Sequence, residues 1–437
     1  MSWDYRFGAL ILVSTLVDYI LAIQIDKSKD EKQREILLKF SLGLNLVAIL
    51  GFFKYYNFIT ENINSIFTLF GNNSPIPELK ILLPVGISFF TFQSMSYTID
   101  VYKREIKVEK SFVKFALFVS FFPQLVAGPI VTAKSFLPQL YTDKEMESIQ
   151  FLKAVRYFFL GYIKKVVISD NVSPIVDLIY SSPESYGTTA TWLASILFIM
   201  QIYCDFSGYT DMAYSSALLL GYELPENFRM PLICRSFTDF WRRWHISLSS
   251  WLKEYLYFYL GGSRVGYYHH KFNLFFTMLI AGLWHGASWN FVIWGGLQGL
   301  IMAIENSYGS YMVNKYGKEI LNKKIGLPRY VLQNISTLLF FTFIGTLFRS
   351  QNMEVESIIL NNMMFYNDLG LRPYMVKIGL AAFIPLLLGN VMGYYIFERN
   401  YELKIPKGLE YMGYISVTIF ISLLTNDNLT PFIYFQF

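Results

Sequence analysis

The sequence predicts an all-α polytopic integral membrane protein, and three observations carry that expectation. Charged residues make up only 16% of the 437, where a soluble protein carries about a quarter. Apolar runs long enough to cross a bilayer recur from end to end. Lys and Arg gather in short loops between those runs, as they do on the cytoplasmic side of a membrane. The net charge of +5 is explained by those loops and needs no nucleic-acid partner. The expected architecture is roughly 11–12 membrane-inserted helices with interfacial amphipathic helices.

Candidate spans fall near 7–25, 40–58, 81–101, 113–131, 152–168, 189–206, 287–305, 331–349, 375–397 and 411–425, with shorter apolar pieces near 209–222 and 272–284. The first, "FGALILVSTLVDYILAIQI", carries Asp18 and no A-x-A site, so it reads as a retained span and not a signal peptide. The loop at 26–39 holds Lys27, Lys29, Lys32, Arg34 and Lys39, and the loop at 102–114 holds Lys103, Arg104, Lys107, Lys110 and Lys114. Residues 59–79 hold no Lys or Arg. The N-terminus is therefore expected outside the cytoplasm, and the basic stretch at 307–330 inside it. No repeat or linker divides the chain, so one integral domain, 1–437, is expected. Cys204 and Cys234 form no disulfide framework and no CxxC zinc spacing.

Gly221 to Lys271 breaks the run of spans, with seven basic and four acidic residues. Within it, "FWRRWHISLSSWLKEYLYFYL" reads as an amphipathic helix at the membrane surface. On a helical wheel Trp241, Trp244, His245, Leu248, Leu252 and Tyr255 share one arc, and Arg242, Arg243, Ser250, Lys253 and Glu254 lie opposite. His245 is either a histidine satisfied within that packing or a functional one. Arg242 and Arg243 suit donor phosphates by charge-assisted bonds or lipid headgroups. In "QIYCDFSGYTDMAYS", Asp205, Ser207, Tyr209 and Asp211 read as a solvated turn or as the lining of a polar cavity.

His285 has the stronger case for chemistry. The arm from Lys271 to His285 reaches only about 21 Å as helix, short of the roughly 30 Å hydrocarbon layer. It leaves an imidazole at membrane depth, where an ionisable group normally faces a cavity and works. Gly282, Gly286 and Ala287 would admit a close backbone or substrate. A histidine bridging two helices is the structural alternative. His269 and His270 read as solvated. His245, His285 and a carboxylate lack metal-ligand spacing, and no P-loop, dinucleotide fingerprint or nucleophile elbow occurs.

Six ordered blocks, "LPVGISFFTFQSMSYTIDVY", "FFPQLVAGPIV", "QIYCDFSGYTDMA", "LPENFRMPL", "FWRRWHISLSSWLKEYLYFYLGG" and "GLWHGASWNFVIWGGLQG", together resemble the membrane-bound O-acyltransferase family, in its bacterial alginate O-acetyltransferase branch. The motif-bearing core is about 81–305, and the closing "PFIYFQF" also fits. The resemblance implies helices around a central tunnel joining a cytoplasmic donor side to an opposite acceptor side. It implies a catalytic His285 and a second functional position at His245.

The expected reaction is acyl transfer from a cytoplasmic thioester, acetyl-CoA foremost, to a hydroxyl of an exported polysaccharide. A neutral His285 would act as general base. His245 would orient a reactant or assist proton movement. Trp241 and Trp284 would shape the carbonyl pocket, and Arg242, Arg243 and Asp205 would contact the donor. No bound cofactor or metal is expected. The expected partners are membrane lipid and an extracytoplasmic transferase that finishes the transfer, and the expected location is the bacterial inner membrane. D-alanyl transfer to teichoic acid from a carrier-protein thioester is the nearest alternative. A transporter of acyl donor, or a passive scaffold for a secreted transferase, stands further off.

Overall fold

A computed structural model of the chain describes residues 5–71, 76–319, 325–399, 406–424 and 432–433. Every regular element among them is helical. Among the described residues five helices are long and apolar enough to cross a bilayer, and the chain is a helical membrane protein. Lys323, Lys324, the last residue of the span at 411–425 and most of the closing "PFIYFQF" lie outside the described residues. The chain falls into two compact units, one drawn from 1–154, 213–225 and 286–288, the other from 155–212, 226–285 and 289–437.

In the first unit, α1 (Tyr5–Lys27) packs on α2 (Glu31–Gly43) and α3 (Ile87–Tyr102). The helix of α2 runs on through Leu69, past the expected span at 40–58. Asp18 sits wholly buried in this packing. Its carboxylate accepts from Ser41 Oγ at 2.7 Å, from Asn45 Nδ2 at 2.9 Å and from Ser94 Oγ. Those donors offset the cost of a carboxylate at membrane depth. The expected span at 113–131 is interrupted: α4 (Phe112–Ser120) stops where Phe121 turns extended, and a new short helical turn starts at Phe122 with Pro123 in its first turn.

Helix α5 (Phe151–Tyr162), in the second unit from Val155 onward, leads through a wider-wound turn, Ile163–Ser169, into α6 (Asp170–Ser181). The long α7 (Thr188–Leu219) joins the expected span at 189–206 and the piece at 209–222 into one helix. Its apolar window is 78% buried by protein, against 22% to 44% for the other four candidate spans. That explains how α7 carries the polar cluster "QIYCDFSGYTDMAYS" without a turn: its neighbours are protein groups and not lipid. A Cβ on Gly208 would lie 2.7 Å from the Gly161 carbonyl oxygen. Only glycine lets the two backbones close there, and the closure brings Lys164 and Lys165 to α7.

The expected continuous helix at Phe240–Leu260 is divided into α8 (Phe237–Trp241) and α9 (Ile246–Leu252), with a wider turn at Lys253–Tyr257. The two-faced pattern survives in part. Trp241, Trp244, His245, Leu248, Leu252 and Tyr255 are all buried, while Arg242, Ser250 and Lys253 are exposed; Arg243 and Glu254, expected on the polar face, are half-buried. The break falls at His245, whose backbone is left-handed at φ 45° and ψ 52°. The remaining helices are α10 (Tyr267–His285), α11 (Trp289–Tyr316), α12 (Leu327–Arg349), α13 (Met353–Met364), α14 (Pro373–Gly393) and α15 (Lys407–Leu424).

Candidate active site

The site is built around the C-terminal end of α10. This helix and α11 pack through glycines: a Cβ on Gly295 would lie 2.5 Å from Met278 O and 2.9 Å from Gly282 Cα, and one on Gly299 would lie 2.7 Å from Phe275 Cα. Gly282 therefore admits the α11 backbone and not a substrate. His285 is the last residue of α10 and is 5% exposed. Its ring is met edge-on by Trp284, Trp294 and Phe348, with centroids 5.0, 5.4 and 5.1 Å away. Phe348 comes from α12 and Trp294 from α11, so three helices wall the imidazole with aromatic surface.

His245 is buried to 0% exposure and stands in a second aromatic wall. Phe206 of α7 meets it edge-on at 4.6 Å, and Trp284 at 5.9 Å. Trp284 thus touches both histidine rings, forty residues apart in sequence. Nδ1 of His245 lies 3.1 Å from Asn227 Oδ1. That same oxygen accepts from Ser247 N at 3.2 Å and Ser247 Oγ at 2.8 Å. The Asn227 carbonyl accepts Ile246 N at 2.9 Å, and Arg229 N donates to Arg243 O at 2.8 Å. The 227–229 stretch therefore clamps the turn that carries His245. Holding a non-glycine residue left-handed costs on the order of 1–3 kcal/mol and persists where its surroundings over-determine it.

Trp241 Nε1 donates to Gln298 Oε1 at 3.1 Å, and its ring meets Trp294 at 5.8 Å, which ties α8 to the wall around His285. Asp205 is not solvated. It pairs with Lys165 at 2.7 Å and accepts the Ile433 backbone N–H at 2.7 Å, while Lys165 also holds Asp170 at 2.8 Å. Lys164 pairs with Asp211 at 2.7 Å. The turn reading of this cluster gives way to buried ion pairs inside α7.

Arg242 and Arg243 line a cleft of about 560 Å³ with Glu226, Arg229, Asp239 and Glu398. Arg243 is committed to Asp239 at 3.0 Å and to Glu398, and Arg229 to Glu226 at 3.0 Å. Arg242 is exposed. His269 is exposed and His270 half-buried at the start of α10. Among the described residues no cluster of His, Cys, Asp or Glu could hold a metal ion, and both cysteines are free and buried.

Asn227, Gln298, Lys164 and Lys165 carry no signal in the sequence that marks them for this site. Asn227 stands in "LPENFRMPL", where an amide among prolines and charges signals nothing by itself. Lys164 and Lys165 were legible only as two lysines inside an apolar run.

Two buried imidazoles thus stand on either side of one indole, inside aromatic walls. Comparison with known proteins bears on what they do. The model of the membrane-bound O-acyltransferase family matches residues 91–316. A probable alginate O-acetylase of Pseudomonas putida is 33% identical over 461 aligned residues, covering 100% of this chain and 91% of the relative. A peptidoglycan O-acetyltransferase of Helicobacter pylori is 35% identical, covering 84% of this chain and 72% of the relative. A teichoic acid D-alanyltransferase of Bacillus subtilis is 24% identical, covering 53% of this chain and 61% of the relative.

Proposed function

The chain belongs to the membrane-bound O-acyltransferase family and is an O-acyltransferase, and from that premise we propose that it passes an acetyl group from acetyl-CoA, on the cytoplasmic side, to hydroxyls of an exported cell-surface polysaccharide. The acceptor class rests on the alginate and peptidoglycan activities named for its relatives. The observation that carries the site assignment is the convergence of His245 and His285 on Trp284, inside walls that leave both imidazoles almost without solvent.

In this reading His285 takes the acceptor hydroxyl proton as the oxygen bonds to the thioester carbonyl carbon. The tetrahedral centre then collapses, the carbon–sulfur bond breaks, and the departing thiolate takes the proton from the imidazolium. The catalyst returns unchanged, with the ester and the free thiol as products. His245 assists that proton movement. Trp241, Trp284 and Trp294 exclude water, which protects the thioester from hydrolysis.

Arg242 at the cleft meets the donor's phosphates, since Arg243 and Arg229 are already engaged by carboxylates. Asp205, held by Lys165, supports the floor of the site from α7. The enzyme lies in the bacterial inner membrane with its N-terminus outside, and an extracytoplasmic transferase completes delivery to the polymer.

The test is the O-acetyl content of exported glycans in cells carrying His285→Ala at normal protein level. Loss of O-acetyl groups supports the reading; unchanged acetylation defeats it. Labelling from a carrier-protein thioester, and not from acetyl-CoA, would transfer the donor assignment to the D-alanyl chemistry named for the Bacillus relative.

A further inference from the structure

His245 is held by more than packing, and its hydrogen bond says which of its nitrogens can react. Asn227 Oδ1 receives the backbone N–H of Ser247, which can only donate. The amide is therefore oriented with its oxygen, and not its NH₂, toward α9 and the histidine. An amide oxygen only accepts, so the 3.1 Å contact requires a hydrogen on Nδ1. In a neutral imidazole that leaves the lone pair on Nε2. Nε2 is itself buried and has no hydrogen-bond partner among the described residues. Phe206 and Trp284 fix the ring from two sides, so it cannot exchange its nitrogens without breaking the clamp.

We infer that Asn227 is a positioning residue for acyl transfer, holding His245 as the Nδ1–H tautomer so that Nε2 is the nitrogen through which it handles a proton. The inference rests on the proposed acyltransferase site and assigns its second histidine a chemical form. Asn227 does this while also meeting the first free N–H groups of α9, which has no cap from its own N-terminal side chain. The cap alone would account for an amide here, so the test must separate the two duties. The other titratable group acting on His245 is His285, across Trp284. The charge of α7 nearest Phe206 is Asp205, whose partner Lys165 is shared with Asp170.

The direct measurement is the nitrogen spectrum of ¹⁵N-histidine-labelled full-length protein in lipid nanodiscs, with His245→Gln used to assign the signal among four histidines. The expected signal for neutral His245 is Nδ1–H; an Nε2–H signal overturns the inference. Kinetics give the second arm. Asn227→Asp keeps the acceptor for both Ser247 and His245, and adds a charge beside Nδ1–H. It should retain transfer, with the acid limb of the pH–rate profile moved up by about one unit or more.

Asn227→Leu should lower kcat by about 10- to 100-fold with KM for acetyl-CoA unchanged. A cap alone predicts an unmoved acid limb in Asn227→Asp, and that result overturns the inference, as does full activity in Asn227→Leu. Should Asn227→Leu fail to fold, the Asp variant and the tautomer still decide. A wild-type protein that transfers no acyl group would sink the functional reading, while the tautomer measurement would stand apart from it.

Discussion

Lys165 holds two carboxylates at once, and its removal provides a demanding test of how α7 tolerates charge. The side chains of Asp205 and Asp170 are 2% and 4% exposed, and Lys165 reaches them at 2.7 and 2.8 Å. Lys165→Met preserves the aliphatic stem and deletes the charge, leaving two buried carboxylates without their cation. Breaking a buried ion pair from one side costs about 3–5 kcal/mol. For a chain of this size that lowers the melting temperature by roughly 3–5 °C.

Replacing the whole group by Lys165→Met, Asp205→Asn and Asp170→Asn together should cost less than the single change, because no unpaired charge remains. The assay is thermal unfolding of purified protein in one detergent, with the single and triple variants compared at equal lipid content. A single variant as stable as wild type, or a triple variant less stable than the single, would refute the claim that Lys165 neutralises this part of α7.

Three further outcomes are expected. Gly295→Ala should destabilise by about 1–3 kcal/mol or more, because its Cβ would meet Met278 O and Gly282 Cα, both backbone; unchanged melting would contradict the glycine-mediated packing of α10 on α11. Glu356, on α13 outside the five candidate spans, is pushed up from 4.5 to about 7 by burial, despite accepting from Thr346 and Ser350. Its folded form holds a proton that the unfolded chain releases, so stability should be full below pH 4.5 and fall by about 3 kcal/mol as pH rises to 7. Glu356→Gln should flatten that slope in pH-dependent melting, and an equal slope in both proteins would count against it. Arg242→Ala should raise KM for acetyl-CoA several-fold with kcat little changed; an unaltered KM would remove Arg242 from the donor site.

The all-helical membrane fold was legible because scarcity of charge, apolar run length and loop lysines all reflect the same solvent. The inward and outward faces of the 240–260 stretch were legible too, since burial follows the alternation of Trp, Leu and Arg. Its break was not, because the groups that cause it, the Asn227 carbonyl and amide, come from eighteen residues before His245. The same limit hid the helix through Asp205 and Asp211. Two aspartates in seven residues look like a turn until lysines from another helix neutralise them. His285 was singled out by its depth along α10, a property of one segment, whereas its aromatic walls needed α11 and α12 to arrive from elsewhere.

The central claim is best tested in sealed proteoliposomes holding an acceptor glycan and extracytoplasmic protein extract inside and radiolabelled acetyl-CoA outside. Wild-type protein should deposit alkali-labile label on the enclosed glycan, and His285→Ala, equally folded and inserted, should deposit none above background. Label on the glycan at the wild-type rate in the alanine variant would contradict the account.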